Sequence, residues 1–271
     1  MKRVQLLLPE WKNKVLTLSY DDGQIFDRKI VEIFNKYGIK GTFNLSAGKI
    51  TDTENGKYIG KNEVKNLYHG HEVACHTLNH TTLPFLMNEQ IVQEIFENRY
   101  ILEQLVGYPV RGFAYPMGVF DERVKEILSS CGIKYARTTR TTARFDFPAD
   151  YYEWASTCHH NDELIEKGKE FINRDRGTSI NLFYIWGHSY EFEQNNNWDI
   201  IENFCRLIYE NQDIWCATNI QLVDYFSAFQ QLQSSVDGHQ IFNPTATDIY
   251  LIDIETNKKL LAKKGEMVIL N

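Results

Sequence analysis

The sequence predicts an α/β fold: a deformed (β/α) barrel of seven or eight β units, followed by a small C-terminal β extension. Short apolar or alternating runs recur between longer amphipathic runs over about 230 residues, which is the texture of repeated βα units. The polar residues able to do chemistry stand just after those short runs, where the C-terminal strand ends of a barrel gather their loops. No glycine-rich fingerprint follows the first run, and this weighs against an open, doubly wound nucleotide-binding sheet.

Taken in order, Val15 to Tyr20 alternates as a strand does. Asp27 stands where a cap would open a helix carrying Ile30, Val31, Phe34 and Tyr37 on one face, and Gly38 stops it. Thr42 to Leu45 and Glu72 to Cys75 read as the next strands. Asn88 can cap a long helix whose buried stripe is Ile91, Val92, Ile95, Phe96 and Leu102. Val110 to Tyr115 is strand-like, and Asp121 opens a helix that ends near Gly132. Ile133 to Thr138, Tyr152 to Thr157 and Ile180 to Trp186 continue the series; the last is nearly unbroken apolar sequence, as expected of a strand buried on both faces. Helical stretches near 161–173, 198–211 and 219–232 complete the barrel, assigned to residues 1–235. Past Val236 the texture changes to turn signals such as Asp237-Gly238 and short runs such as Ile249 to Ile252, so residues 236–271 read as the β-rich extension.

Composition excludes several functions. A net charge of −7 and the absence of a long Lys/Arg run argue against nucleic acid. No stretch approaches the roughly 20 apolar residues of a membrane span. The apolar run at the N-terminus ends at Pro9-Glu10, too short for a signal peptide, so a cytoplasmic location is the expectation. Five scattered cysteines (Cys75, Cys131, Cys158, Cys205 and Cys216) read as buried free thiols. The sequence is silent on oligomeric state.

The chemistry gathers at four strand ends: Asp21-Asp22-Gly23, His76 with His80, Tyr115-Pro116-Met117-Gly118, and His188. His76-x-x-x-His80 places two imidazoles where they can share a cation, and one carboxylate added to them makes a His2Asp set suited to hydrolytic Zn2+. Each piece also has an ordinary explanation. Paired aspartates often cap a turn, and a lone histidine is often structural. The combination is what favours a site.

These anchors, spread over residues 17 to 188, resemble the polysaccharide deacetylase family and its NodB homology domain. Thr17 to Gly23 is similar to the family's Asp-Asp-Gly strand end, and His76-Thr77-Leu78-Asn79-His80 matches its His-Ser/Thr-x-x-His motif. Phe113 to Gly118 is close to its Phe-Ala-Tyr-Pro-Tyr-Gly motif, and Ile185 to His188 resembles its late histidine motif. The resemblance implies a deformed barrel that removes N-acetyl, or O-acetyl, groups from an acetylated oligo- or polysaccharide. It implies Asp22, His76 and His80 as ligands of Zn2+ (with Co2+, Ni2+ or Mn2+ as alternatives), Asp21 as general base and His188 as general acid. The backbone N–H of Met117 would hold the oxyanion. Tyr115, Arg111, Trp154 and Trp186 are the candidate substrate contacts, Trp186 as cleft wall.

Two departures qualify the match. Many relatives orient the base with an Arg in the third motif, where Ala114 stands here; Arg111, three residues earlier, is the expected substitute. The Tyr usual in that motif is Met117 here, which keeps the amide donor but changes the pocket lining. The family also pairs an Asp with a Trp to orient its acid histidine, and Asp150 with Trp154 is a loose counterpart. Tyr190 and Glu191 read as substrate-facing or as solvated loop, and His159-His160 as structural. Two rival functions remain: an amidase acting on a small cyclic or ureide amide, and a carbohydrate-binding protein without turnover.

Overall fold

Residues 3–50 and 56–270 are described by the computed structural model. The strands are β1 (Val4–Leu7), β2 (Lys14–Asp21), β3 (Thr42–Leu45), β4 (Glu72–Cys75), β5 (Gly112–Ala114), β6 (Tyr135–Thr141), β7 (Trp154–Ser156), β8 (Cys158–His159), β9 (Asn181–Gly187), β10 (Ile214–Cys216), β11 (Gln233–Ser234), β12 (Gln240–Phe242), β13 (Ile249–Asp253), β14 (Lys259–Ala262) and β15 (Met267–Ile269). The helices are α1 (Asp27–Lys36), α2 (Lys61–Leu67), α3 (Asn88–Val106), α4 (Glu122–Ser130), α5 (Leu164–Asn173), α6 (Ser189–Gln194), α7 (Trp198–Tyr209) and α8 (Asn219–Gln230).

The central sheet runs β7-β6-β5-β4-β3-β2-β9-β8, all parallel, with β10 also paired to β2. β7 and β8 are consecutive pieces of one bent strand. Thr157 between them donates its N–H to Tyr184 O at 2.7 Å, so the bent strand links β6 to β9 and closes the barrel. The expected barrel is therefore present, with its deformation at β2. That strand pairs with β3 only over Ser19–Asp21 and with β10 over Lys14–Leu16, so two neighbours share one edge.

Strand periodicity explains the layers. In β2, Leu16, Leu18 and Tyr20 pack into the main apolar cluster shared with α1 and α7. The opposite parity carries Thr17, Ser19 and Asp21, which are buried with polar partners. The same alternation sends Phe43 and Leu45 of β3, and Val73 and Cys75 of β4, to the helix layer, while Thr42, Asn44 and Glu72 face the barrel axis. The axis is thus polar. At its floor the N-terminus of α8 enters the gap left by the divided edge of β2. Asn219 N–H donates to Thr42 Oγ1 (3.1 Å), Asn219 Oδ1 accepts from Thr17 (2.7 Å), and Ile220 N–H donates to Glu72 Oε2 (2.8 Å). Tyr135 adds its hydroxyl to Glu72 Oε1 at 2.7 Å.

The helix ends obey local chemistry with two differences from expectation. Asp121 caps α4, its Oδ1 accepting Val124 N–H at 2.8 Å. Phe26, not Asp27, precedes α1; Asp27 lies inside the first turn, buried against Tyr68 and Ser189. Met87 rather than Asn88 is the N-cap of α3, closed by the Gln90 side chain.

The C-terminal segment forms two three-stranded sheets, β1-β13-β14 and β11-β12-β15. Because β1 comes from the other end of the chain, the extension is built from both termini. It packs on α8 through Leu6, Tyr225, Ile249 and Leu251, and Tyr225 donates its hydroxyl to Leu7 O at 2.6 Å. These contacts lie at the barrel floor, away from the C-terminal strand ends. Among the described residues, no helix is long and apolar enough to cross a membrane.

Candidate active site

Strand register brings the chemistry together at the mouth. Asp21, the last residue of β2, pairs with Asn44 on β3, and Tyr20 pairs with Gly187 on β9, one residue before His188. Past Asp21 the backbone turns sharply: Asp22 has φ 80° and Gly23 has φ 64°. That reversal points the two neighbouring carboxylates in different directions.

Asp21 is 3% exposed and held from both oxygens: Asn44 Nδ2 donates to Oδ1 at 2.8 Å, and the Arg137 guanidinium donates to Oδ2. Burial alone would raise its pKa, but Arg137 and then His76 outweigh it and hold the carboxyl down to about 2. Asp21 is therefore ionised across the neutral range.

Asp22, His76 and His80 offer ligand atoms that all lie within 4.8 Å of one another. His76, 1% exposed, gives its Nδ1–H to Ala114 O at 2.8 Å, which leaves the Nε2 lone pair free for a ligand role. Asp22 Oδ1 is buried without a hydrogen-bond partner and stands 3.5 Å from His80 Nε2. Burial depresses both imidazoles, His76 to about 4 despite the pull of Asp21, so both are neutral, as cation ligands must be. Thr77 (φ 56°) and His80 (φ 61°) are left-handed, a backbone cost that the loop carries to aim the second imidazole. An orphaned carboxylate oxygen, two neutral imidazoles and a hydrogen bond fixing one tautomer fit a divalent cation.

Arg137 was not apparent in the sequence. It lies on β6 in register with Ala114 on β5, is fully buried, and lays its guanidinium 4.5 Å over the Trp186 ring. The small side chain at 114 leaves the interior open, and the next strand supplies the cation. The available signal was parity: Tyr135 and Arg137 share one face of a strand whose neighbours are small. Arg111, the expected substitute, is instead bound bidentately to Asp224 of α8 at 2.8 and 2.7 Å, away from Asp21.

Other candidates also separate. Trp186 lines the mouth, 5.8 Å from the His188 ring. Tyr115 is buried, donating its hydroxyl to Tyr152 O and stacking on Phe120, so its side chain does not face the mouth. Trp154 is fully buried among Tyr135, Tyr151 and Tyr184 in the interior. Asp150 caps the turn at Tyr152 and pairs with Lys125, so it does not touch His188. Met117 sits in the turn after β5 with φ 58°, its side chain exposed over the rim. His188 is beside Glu191, which the sequence left as either substrate-facing or solvated loop.

Comparison with known proteins points to the polysaccharide deacetylases. Residues 9–136 match the family model described as polysaccharide deacetylase. Over that stretch the chain is similar to the polysaccharide deacetylases. Chitin deacetylase 1 of Cryptococcus neoformans is 28% identical over 137 residues, 48% of this chain and 27% of the relative. The chain's matches span between 27% and 62% of the length of the curated relatives it resembles. A structure from Mycobacterium smegmatis named for the polysaccharide deacetylases superposes with a TM-score of 0.62 at 14% identity, covering 85% of this chain and 96% of that one. A family 4 acetyl xylan esterase from Clostridium thermocellum, in complex with a cobalt ion, gives a TM-score of 0.54 at 14% identity, covering 78% and 90%. At such identities the structures establish a shared fold, the deformed barrel.

Proposed function

We propose that this chain hydrolyses acetyl groups from a carbohydrate, with a divalent cation, Zn2+ first among the candidates, held by Asp22, His76 and His80. The observation that carries the reading is an ionised, doubly anchored Asp21 next to three convergent ligand atoms, with His188 on the adjoining strand end. When bound, the cation would polarise the acetyl carbonyl and lower the pKa of a water.

The chain's own residues supply the rest. Asp21 accepts the water proton as the new C–O bond forms. The Met117 N–H faces the developing oxyanion and stabilises it. His188 delivers a proton to the leaving nitrogen, or oxygen, as its bond to carbon breaks. The products are acetate and a free amine or hydroxyl, and the proton count closes. Arg137 keeps Asp21 ionised and in place, and Trp186 forms the wall beside both groups.

The test is acetate release from a panel of N-acetylated and O-acetylated saccharides, with Zn2+ and with chelator. Metal-dependent release assigns the reaction and shows which bond is cut. A metal-loaded protein that releases no acetate from any of them overturns the reading. Asp21→Asn then separates enzyme from binder: an enzyme loses turnover and keeps saccharide affinity.

A further inference from the structure

Glu191 stands in the first turn of α6, three residues after His188, and its Oε2 accepts the His188 backbone N–H at 3.1 Å. That contact is one half of a capping box; the Glu191 N–H donates to His188 O at 3.1 Å, which leaves the His188 ring out of it. The rest of its surroundings are not of that kind. His159 Nε2 and His160 Nε2 each lie 3.1 Å from Oε2, and His188 Nδ1 lies 3.3 Å from Oε1. One carboxylate thus meets three imidazoles.

Two of these rings are fixed. His159 Nδ1 accepts the Asn161 N–H at 3.2 Å, so the proton of that ring is on Nε2, facing Glu191. His160 is 1% exposed and stacked between Phe192 (4.1 Å) and Tyr20 (5.7 Å). Behind it is Gly187, where a Cβ would come within 2.0 Å of Nδ1, so only glycine lets the ring pack there. His159, His160 and Glu191 are spaced closely enough to hold a cation. A lone pair at His159 Nε2, however, would require a proton on Nδ1, directly against the Asn161 N–H.

We propose that Glu191 is the positioning residue for His188: its carboxylate, anchored by His159 and His160, turns the His188 ring so that Nδ1 faces Glu191 and Nε2 is presented to the leaving group. This rests on the reading of His188 as the proton donor. Asp150, the expected orienter, is occupied elsewhere by Lys125 at 2.7 Å. In this structure His188 Nδ1 is at ion-pair distance without hydrogen-bond alignment, a contact of the kind that tightens when substrate binds. Burial disfavours the His188 imidazolium, but Glu191 and Asp21 outweigh it and raise its pKa, keeping more of the acid form near neutrality.

The experiment compares wild type with Glu191→Gln, which keeps the shape, and Glu191→Ala. Long-range 1H–15N spectra of histidine-labelled protein report the tautomer of neutral His188. Turnover on the acetylated panel gives kcat and KM, and equilibrium dialysis with Zn2+ alone gives metal stoichiometry. The expected result is an Nδ1–H tautomer in wild type that shifts toward Nε2–H in both variants. With it, kcat falls by about 10- to 100-fold while KM and a one-zinc stoichiometry hold. An unchanged tautomer and kcat would reduce Glu191 to a helix cap and overturn the proposal. Two zinc ions in wild type and one in Glu191→Ala would replace it with a second metal site. His188→Ala in the same assay keeps the failures apart. Full turnover in His188→Ala defeats the acid assignment itself, whereas its inactivity beside unchanged Glu191 variants defeats only the positioning role. Should no substrate turn over, the tautomer still decides.

Discussion

Glu72 sits at the barrel floor, 4% exposed, and accepts hydrogen bonds from Tyr135 (2.7 Å), Thr42 (3.0 Å) and the Ile220 N–H (2.8 Å). Burial dominates these donors and pushes the carboxyl from 4.5 up to about 7. That interval corresponds to roughly 3 kcal/mol of differential stabilisation between the protonated and ionised forms. Because the folded-state pKa is the higher one, the native state holds more protons between pH 4.5 and 7. Stability therefore falls as pH rises through this window, and the cost is complete above pH 7. Glu72→Gln removes the titration while keeping the shape. The amide oxygen can accept from Thr42 and Ile220, and the amide nitrogen can donate to Tyr135. Weaker hydrogen bonds in the neutral network offset about 1 kcal/mol of the gain. Urea denaturation at pH 5 and pH 8 is the assay. The variant should match wild type, or fall slightly below it, at pH 5 and exceed it by roughly 1–2 kcal/mol at pH 8. Asp27, also raised to about 7 by burial, tilts the wild-type profile in the same sense, so the difference between the two proteins is the quantity that isolates Glu72. Identical pH slopes in the two proteins would refute the reasoning.

Three further outcomes are expected. Asp22→Ala and His80→Ala should each lose tight Zn2+ binding in equilibrium dialysis, together with acetate release, while circular dichroism shows the fold retained. Arg137→Met strands a buried carboxylate and should cost about 3–5 kcal/mol in urea denaturation. Its kcat should fall by at least about 100-fold with metal still bound; an unchanged kcat would mean that Asn44 alone orients the base. Arg111→Ala breaks only a partly exposed pair with Asp224, so its stability should stay within about 1 kcal/mol of wild type and its kcat should not move.

Strands were legible where alternation or an unbroken apolar run marked them, as in β2 and β9, because alternate residues meet different layers and a strand covered on both faces stays apolar. The three-residue β10 and the six-residue α6 were missed; segments that short carry too little pattern. The candidate residues Asp21, Asp22, His76 and His80 could be picked out because they come as two close pairs, each at or just past a strand end. Arg137 and Glu191 could not. Arg137 reaches a residue at another strand end, and Glu191, though only three residues from His188, is held by His159 and His160 from the end of a different strand, β8. In a one-dimensional reading the stretch Arg137-Thr138-Thr139-Arg140 is simply polar. The same reason hid the destination of Asp27, whose partners Tyr68 and Ser189 are 41 and 162 residues away.

The left-handed residues at the mouth have a consequence for how this protein can change. Asp22, Thr77, His80 and Met117 all hold positive φ without being glycine. At such positions glycine relieves strain of order 1 kcal/mol. Substitutions there would make a sturdier barrel while deleting two of the proposed cation ligands. Drift toward robustness and loss of chemistry therefore run in the same direction at this rim. A laboratory selection that rewarded only thermal endurance should accumulate glycines around the mouth first, and its most durable survivors should be the ones that no longer hold metal.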